Sequence, residues 1–238
     1  MAAGGARSKV ALLSGYRLDP GDLDPKVAEI SQASGEPPGR LYAVIAAAAC
    51  AQGDRHFTRG VLRAALAAGT GPETLRETLL QTYLFAGYPR AINALADLAS
   101  LAPVPDPVLD LEADLGRDGD WLEAGRALCA RVYGPGYDRL LPLMAKLSPE
   151  LGRWMITEGY GKVLSRPDLD PAARELAAIG ALMVLDVPLQ LRAHLRGALH
   201  VGADRGAVDA ALAAAALVAP RALEPARALL ADVAAHDG

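Results

Sequence analysis

The sequence predicts an all-α protein built from two tandem copies of one helical unit, and three observations carry that expectation. Hydrophobic residues make up 52% of the 238, but aromatics only 5%, so the core has to be assembled from Ala, Leu and Val. Such side chains suit helices packed closely on helices. Apolar and amphipathic runs also end repeatedly on Gly, which enters the left-handed helix cap without strain. Finally, "LRAALAAG" (62–69) and "LRGALHVG" (195–202) superpose at an offset of 133 residues, which also aligns Leu79 with Leu212 and Ala86 with Ala219. Self-similarity of this kind is the mark of a repeated unit.

Each element follows in order. The first twenty residues are Gly-rich and weakly patterned, and are expected to form a peripheral arm. Helical patterning starts at "DPKVAEISQAS". "GRLYAVIAAAACAQG" (39–53) reads as an apolar helix ending at Gly53, and "RHFTRGVLRAALAAG" (55–69) as an amphipathic one stopped by Gly69. A third helix starts at Thr70 or Gly71 with Pro72 in its first turn and closes at Gly87, and "YPRAINALADLASL" opens a fourth. The segment 102–120 has prolines, acids and little period, which marks a linker. The expected organisation is a first copy over 1–104, a linker over 105–118 and a second copy over 119–238. In the second copy, two or three helices precede a turn at Arg166-Pro167. Asp170 then caps a helix with Pro171 in its first turn, which ends near Asp186-Val187-Pro188. A further helix runs from about Leu189 to Val201 and stops at Gly202.

Composition removes several function classes. With 24 basic against 28 acidic residues and a net charge of -4, no basic run exists to displace counterions from nucleic acid. The most apolar stretch, "AALAAAALVAP", is bounded by Asp209 and Pro220 and is too short to cross a bilayer. Two cysteines, Cys50 and Cys129, and a start without a signal-peptide pattern give a reduced, cytoplasmic protein as the expectation. His56 has no second ligand at a metal-binding spacing, so no metal is expected.

"YGKVLSRPDLDPAARELAAIGAL" (160–182), followed by "LRAHLRGALHVG", resembles the carboxymuconolactone decarboxylase family. That family carries Tyr-Gly, Arg-Pro-x-Leu-Asp, Arg-Glu-Leu and His-x-Arg-x-Ala-Leu in this order. "YLFAGYPRAINAL" (83–95) is similar to its closing motif and "GRALCARVYGPGYDR" (125–139) to its opening segment. The resemblance implies a cofactor-independent decarboxylase acting by acid-base proton transfer on a small carboxylated substrate of the lactone type, a lyase of aromatic degradation. It also implies a homo-oligomer, with a trimer favoured. The alkylhydroperoxidase D-like branch of the superfamily spaces a Glu and a His nineteen residues apart, as Glu175 and His194 are here. Its two cysteines would fall at Val187 and Gln190, so dithiol peroxidase chemistry is not expected.

Within this reading His194 donates the proton, because its reference pKa lies nearest neutrality, and Glu175 orients it. Arg166, Arg174 and Arg192 are candidates to hold a substrate carboxylate, with Tyr83 and Tyr160 at the pocket. Alone, Glu175 would serve the helix dipole and His194 the core. At about 1.5 Å per residue the two differ by some 9 Å in height on a helical hairpin, which favours a shared pocket over a direct hydrogen bond. In the first copy the same positions hold Tyr42 and Val61, and a non-catalytic binding or scaffold protein is the alternative.

Overall fold

A computed structural model describes residues 19–103 and 109–236. Among them every regular element is a helix. The expected N-terminal arm lies almost wholly outside the described residues. Five α-helices precede the linker among the described residues: α1 (Leu23–Ser34), α2 (Pro38–Gln52), α3 (Arg55–Ala67), α4 (Pro72–Ala86) and α5 (Tyr88–Leu101). After it come α6 (Asp118–Tyr133), α7 (Tyr137–Leu147), α8 (Pro149–Trp154), a π-helix (Met155–Leu164), α9 (Pro171–Leu185), α10 (Pro188–His200), α11 (Arg205–Ala216) and α12 (Leu223–His236).

The boundaries follow from local chemistry. Asp54, Asp170 and Asp204 each accept a backbone N–H of the first turn, capping α3, α9 and α11. Gly53 ends α2 at a φ of 84°. Asp186 ends α9 in the left-handed region at 54°, a conformation that Asp tolerates better than most residues. That reversal turns α9 back into α10.

The centre of the molecule is the crossing of α2 on α9. Ala46 to Ala49 of α2 and Ala177, Ala178 and Ala181 of α9 are all but inaccessible. Gly180 makes the approach close, since a Cβ there would come within 2.7 Å of the Val44 carbonyl oxygen. The largest buried cluster continues from this crossing into α3, α4, α10, α11 and α12. Helices from both sides of the linker therefore share one core. The starts and ends of α2 and α3 recur 133 residues later as those of α9 and α10, and the start of α4 recurs as that of α11.

A smaller cluster, with Leu128, Cys129, Val132, Ile156, Tyr160 and Leu164, joins α6 to the π-helix. Two glycines permit this contact: a Cβ on Gly125 or on Gly161 would lie 2.0 Å from a carbonyl oxygen of the other element. No helix among the described residues is long and apolar enough to cross a membrane.

Candidate acid–base site

Glu175 sits one turn into α9 and His194 in the second turn of α10, joined by the reversal at Asp186. His194 Nδ1 lies 2.7 Å from Glu175 Oε2, and their side chains are 11% and 3% exposed. This corrects the expectation of a shared pocket without contact. The 9 Å offset along the hairpin is closed by two long side chains, and the carboxylate lies over Gly197, one turn beyond His194. A Cβ on Gly197 would be 2.8 Å from Glu175 Oε2 and 2.6 Å from Val132 Cγ1, so only glycine leaves room. Gly197 was not singled out in the sequence, although a small residue three positions after the histidine is its signal.

A carboxylate oxygen accepts, so this hydrogen bond takes its proton from Nδ1 and leaves Nε2 on the side of the ring away from Glu175. Nε2 has no hydrogen-bond partner among the described residues, yet it is not one of the buried unpartnered atoms. It therefore reaches accessible space. The Phe85 ring meets the imidazole edge-on, with centroids 5.3 Å apart.

Three further groups lie close enough to Glu175 to feel its charge: Tyr160, expected at the pocket, and Cys129 and Tyr133, which sequence reasoning did not assign. Cys129 is buried on α6, and burial pushes its thiol up to about 12, with the Glu175 charge adding to the effect. Tyr160 is buried on the π-helix with its ring edge-on to that of Tyr133; burial raises its hydroxyl well above the ordinary range, again with Glu175 reinforcing it. Tyr133 is raised chiefly by burial too. All three are neutral at physiological pH. Cys50 is likewise raised to about 12 by burial, so neither cysteine supplies a thiolate.

The arginines expected to hold a carboxylate are engaged elsewhere. Arg166 binds Glu77 bidentately at 2.8 and 2.9 Å, and Arg174 Nη2 binds the same carboxylate at 3.0 Å. Arg192 pairs with Asp232. Tyr83 donates to Glu158 at 2.7 Å and stacks on Tyr88. Of the other expected site residues, only Tyr160 lies close enough to the pair to feel the Glu175 charge. Glu77, wholly buried on α4, organises the arginines instead, and nothing in its helical position distinguished it. No group of three or more His, Cys, Asp or Glu side chains among the described residues is arranged to hold a metal ion. At the first-half positions, Val61 is buried and Tyr42 donates its hydroxyl to Asp24.

The carboxymuconolactone decarboxylase family model matches residues 149–232, which run from the start of α8 into α12. The chain is also similar to Peroxisomal protein 2 of Schizosaccharomyces pombe, 33% identical over 185 residues that cover 73% of this chain and 83% of that protein. It is 29% identical over 168 residues to Peroxisomal protein 2 of Saccharomyces cerevisiae, across 60% of this chain and 59% of the yeast protein. These relatives overturn two expectations. They are not named as decarboxylases, so carboxymuconolactone decarboxylation is withdrawn as the function, consistent with the engaged arginines. They are named as peroxisomal, which removes the basis for a cytoplasmic placement.

Proposed function

The chain belongs to the carboxymuconolactone decarboxylase family, and from that premise we propose that it is a proton-transfer enzyme acting on a small uncharged substrate, with His194 Nε2 as the exchanging atom. One observation carries this reading: the 2.7 Å contact between His194 Nδ1 and a buried Glu175 that leaves Nε2 without a partner. A carboxylate behind an imidazole fixes its tautomer, holds its ring and stabilises the imidazolium formed when Nε2 takes a proton. The arginines expected to hold a carboxylate are bound to Glu77 and Asp232, which favours a neutral substrate over a charged one. Neutral Tyr160, Tyr133 and Cys129 behind Glu175 keep its surroundings dry without competing for its charge.

The two-unit organisation belongs to the same proposal. The 133-residue recurrence of helix bounds supports duplication of one unit, with residues 1–104 and 119–238 joined by 105–118. The first unit has exchanged its acid–base pair for Tyr42 and Val61 and supplies core instead. Self-association is supported by Leu143, Leu147, Leu151 and Trp154, all more than half exposed on α7 and α8; light scattering that returns a monomer rejects it. The relatives' name supplies the compartment: in a host with peroxisomes, a fluorescent fusion is expected to coincide with a peroxisomal marker, and a diffuse signal rejects the placement.

The test of the activity needs no prior substrate. The protein is incubated in D2O with a panel of small ketones, esters and lactones, and deuterium entering carbon next to the carbonyl is followed by NMR. Protein-dependent exchange is expected for at least one class, reduced ~10²-fold or more in His194→Ala. Exchange that is absent throughout, or equal in the variant, rejects the reading.

A further inference from the structure

α6 uses two faces. Gly125, Cys129 and Val132 turn toward the π-helix and Glu175. About 100° around the helix, Ala124, Ala127, Leu128 and Arg131 line a separate cleft of about 290 Å³. Its opposite wall is residues 164–171, where Leu164 and Leu169 face the α6 side chains. The volume is at the lower end of the range for small-molecule sites.

The wall is held rigidly. Arg166 is clamped on buried Glu77, its carbonyl accepts from Arg174 Nη2 at 2.9 Å, and Asp170 both caps α9 and pairs with Arg40 at 3.5 Å. These ionic groups are therefore already paired. Arg131 is different: it is exposed at the cleft, and no carboxylate among the described residues pairs with it. The cleft thus combines an apolar floor, a fixed wall and one unmatched guanidinium, whose planar fork suits an oxyanion.

We propose that this cleft is a binding site for a small amphipathic anion, its single charged head on Arg131 and its apolar body between Leu128, Leu164 and Leu169. The site is separate from His194 and independent of the activity proposed above. Both carboxylates and phosphate monoesters carry such a head, and the probes distinguish them.

The experiment is an amide NMR titration of the full chain with sodium octanoate, octyl phosphate and octanamide. At least one anion is expected to give saturable shifts at residues 124–131 and 164–171, with octanamide about tenfold weaker. Tighter binding of octanoate assigns a carboxylate head, and tighter binding of octyl phosphate assigns a phosphate. Arg131→Gln should abolish the preference for anions. Ala127→Phe should weaken all three probes by occupying the cleft; Ala127 is exposed, so the substitution leaves the core alone. His194→Ala should bind as wild type does. Shifts that fail to saturate, that centre on α7 and α8, or that persist unchanged in Arg131→Gln overturn the proposal.

Discussion

His194 and Glu175 show how two residues, each ordinary on its own helix, become a site through a third that has no side chain. The carboxylate lies across Gly197, so the pair depends on the absence of a methyl group. Gly197→Ala would drive a Cβ into both Glu175 and Val132; the expected cost is ~1–3 kcal/mol, as for other overpacked positions. Thermal unfolding measures that cost, and the ring resonances of His194 should move with it. Unmoved resonances would mean that the carboxylate has room we have not recognised. A second outcome belongs to the cysteines. With burial holding Cys50 and Cys129 near 12, a maleimide at neutral pH should leave the native chain unlabelled and label both thiols in denaturant. Rapid native labelling of Cys129 would contradict the dry surroundings assigned to Glu175.

At the scale of elements, the glycine contacts between α6 and the π-helix pack Tyr160 and Cys129 into one buried cluster, within reach of the Glu175 charge. Gly161→Ala would put a Cβ 2.0 Å from the Trp121 carbonyl, a collision with backbone that no rotamer relieves. We expect a loss at the upper end of ~1–3 kcal/mol, measured by chemical unfolding, whereas Gly119→Ala, exposed on α6 with nothing within 4 Å of its Cβ, should cost nothing. This is also the region that the sequence conveyed least. Helix ends at Gly53, Gly87 and Asp170 could be read because caps and stops are local chemistry, and α9 and α10 begin within a residue of where their prolines put them. A π-helix is a change of hydrogen-bond register inside an apparently helical pattern, and no residue type announces it. The same limit governed the site. Nineteen residues of spacing identified the pair, but whether Glu175 reached His194 depended on the crossing of two helices. The fate of Arg166 and Arg174 depended on Glu77, some ninety residues away in sequence.

For the whole molecule, Glu77 is the buried ionic link between helices on the two sides of the linker. It lies on α4, wholly buried, and receives Arg166, Arg174 and Arg76 at 2.8, 3.0 and 3.1 Å. Gln81, one turn on, donates to the Arg174 carbonyl at 2.9 Å. Burial pushes the Glu77 carboxyl upward, but the hydrogen bonds and charges of Arg166 and Arg174 outweigh it and leave its pKa below the ordinary value. The sign of the pH dependence follows. A carboxyl with a lower pKa folded than unfolded stabilises the fold above the unfolded value, about 4.3 for Glu, and this contribution is lost as pH falls through the folded value. Asp97, lowered by Arg55 and Arg59, acts in the same direction. Wild-type stability should therefore be steady near neutrality and fall below about pH 4. Glu77→Gln takes the shared carboxylate from three guanidinium groups, one of them, Arg174, fully buried, and should cost ~3–5 kcal/mol at pH 7. Because the variant has already lost the titrating group, its curve should be flatter in acid, and the gap from wild type should narrow as pH falls. Chemical unfolding from pH 7 to 3 measures both curves; a constant gap would mean that Glu77 contributes packing alone and that the halves are joined by their alanine core.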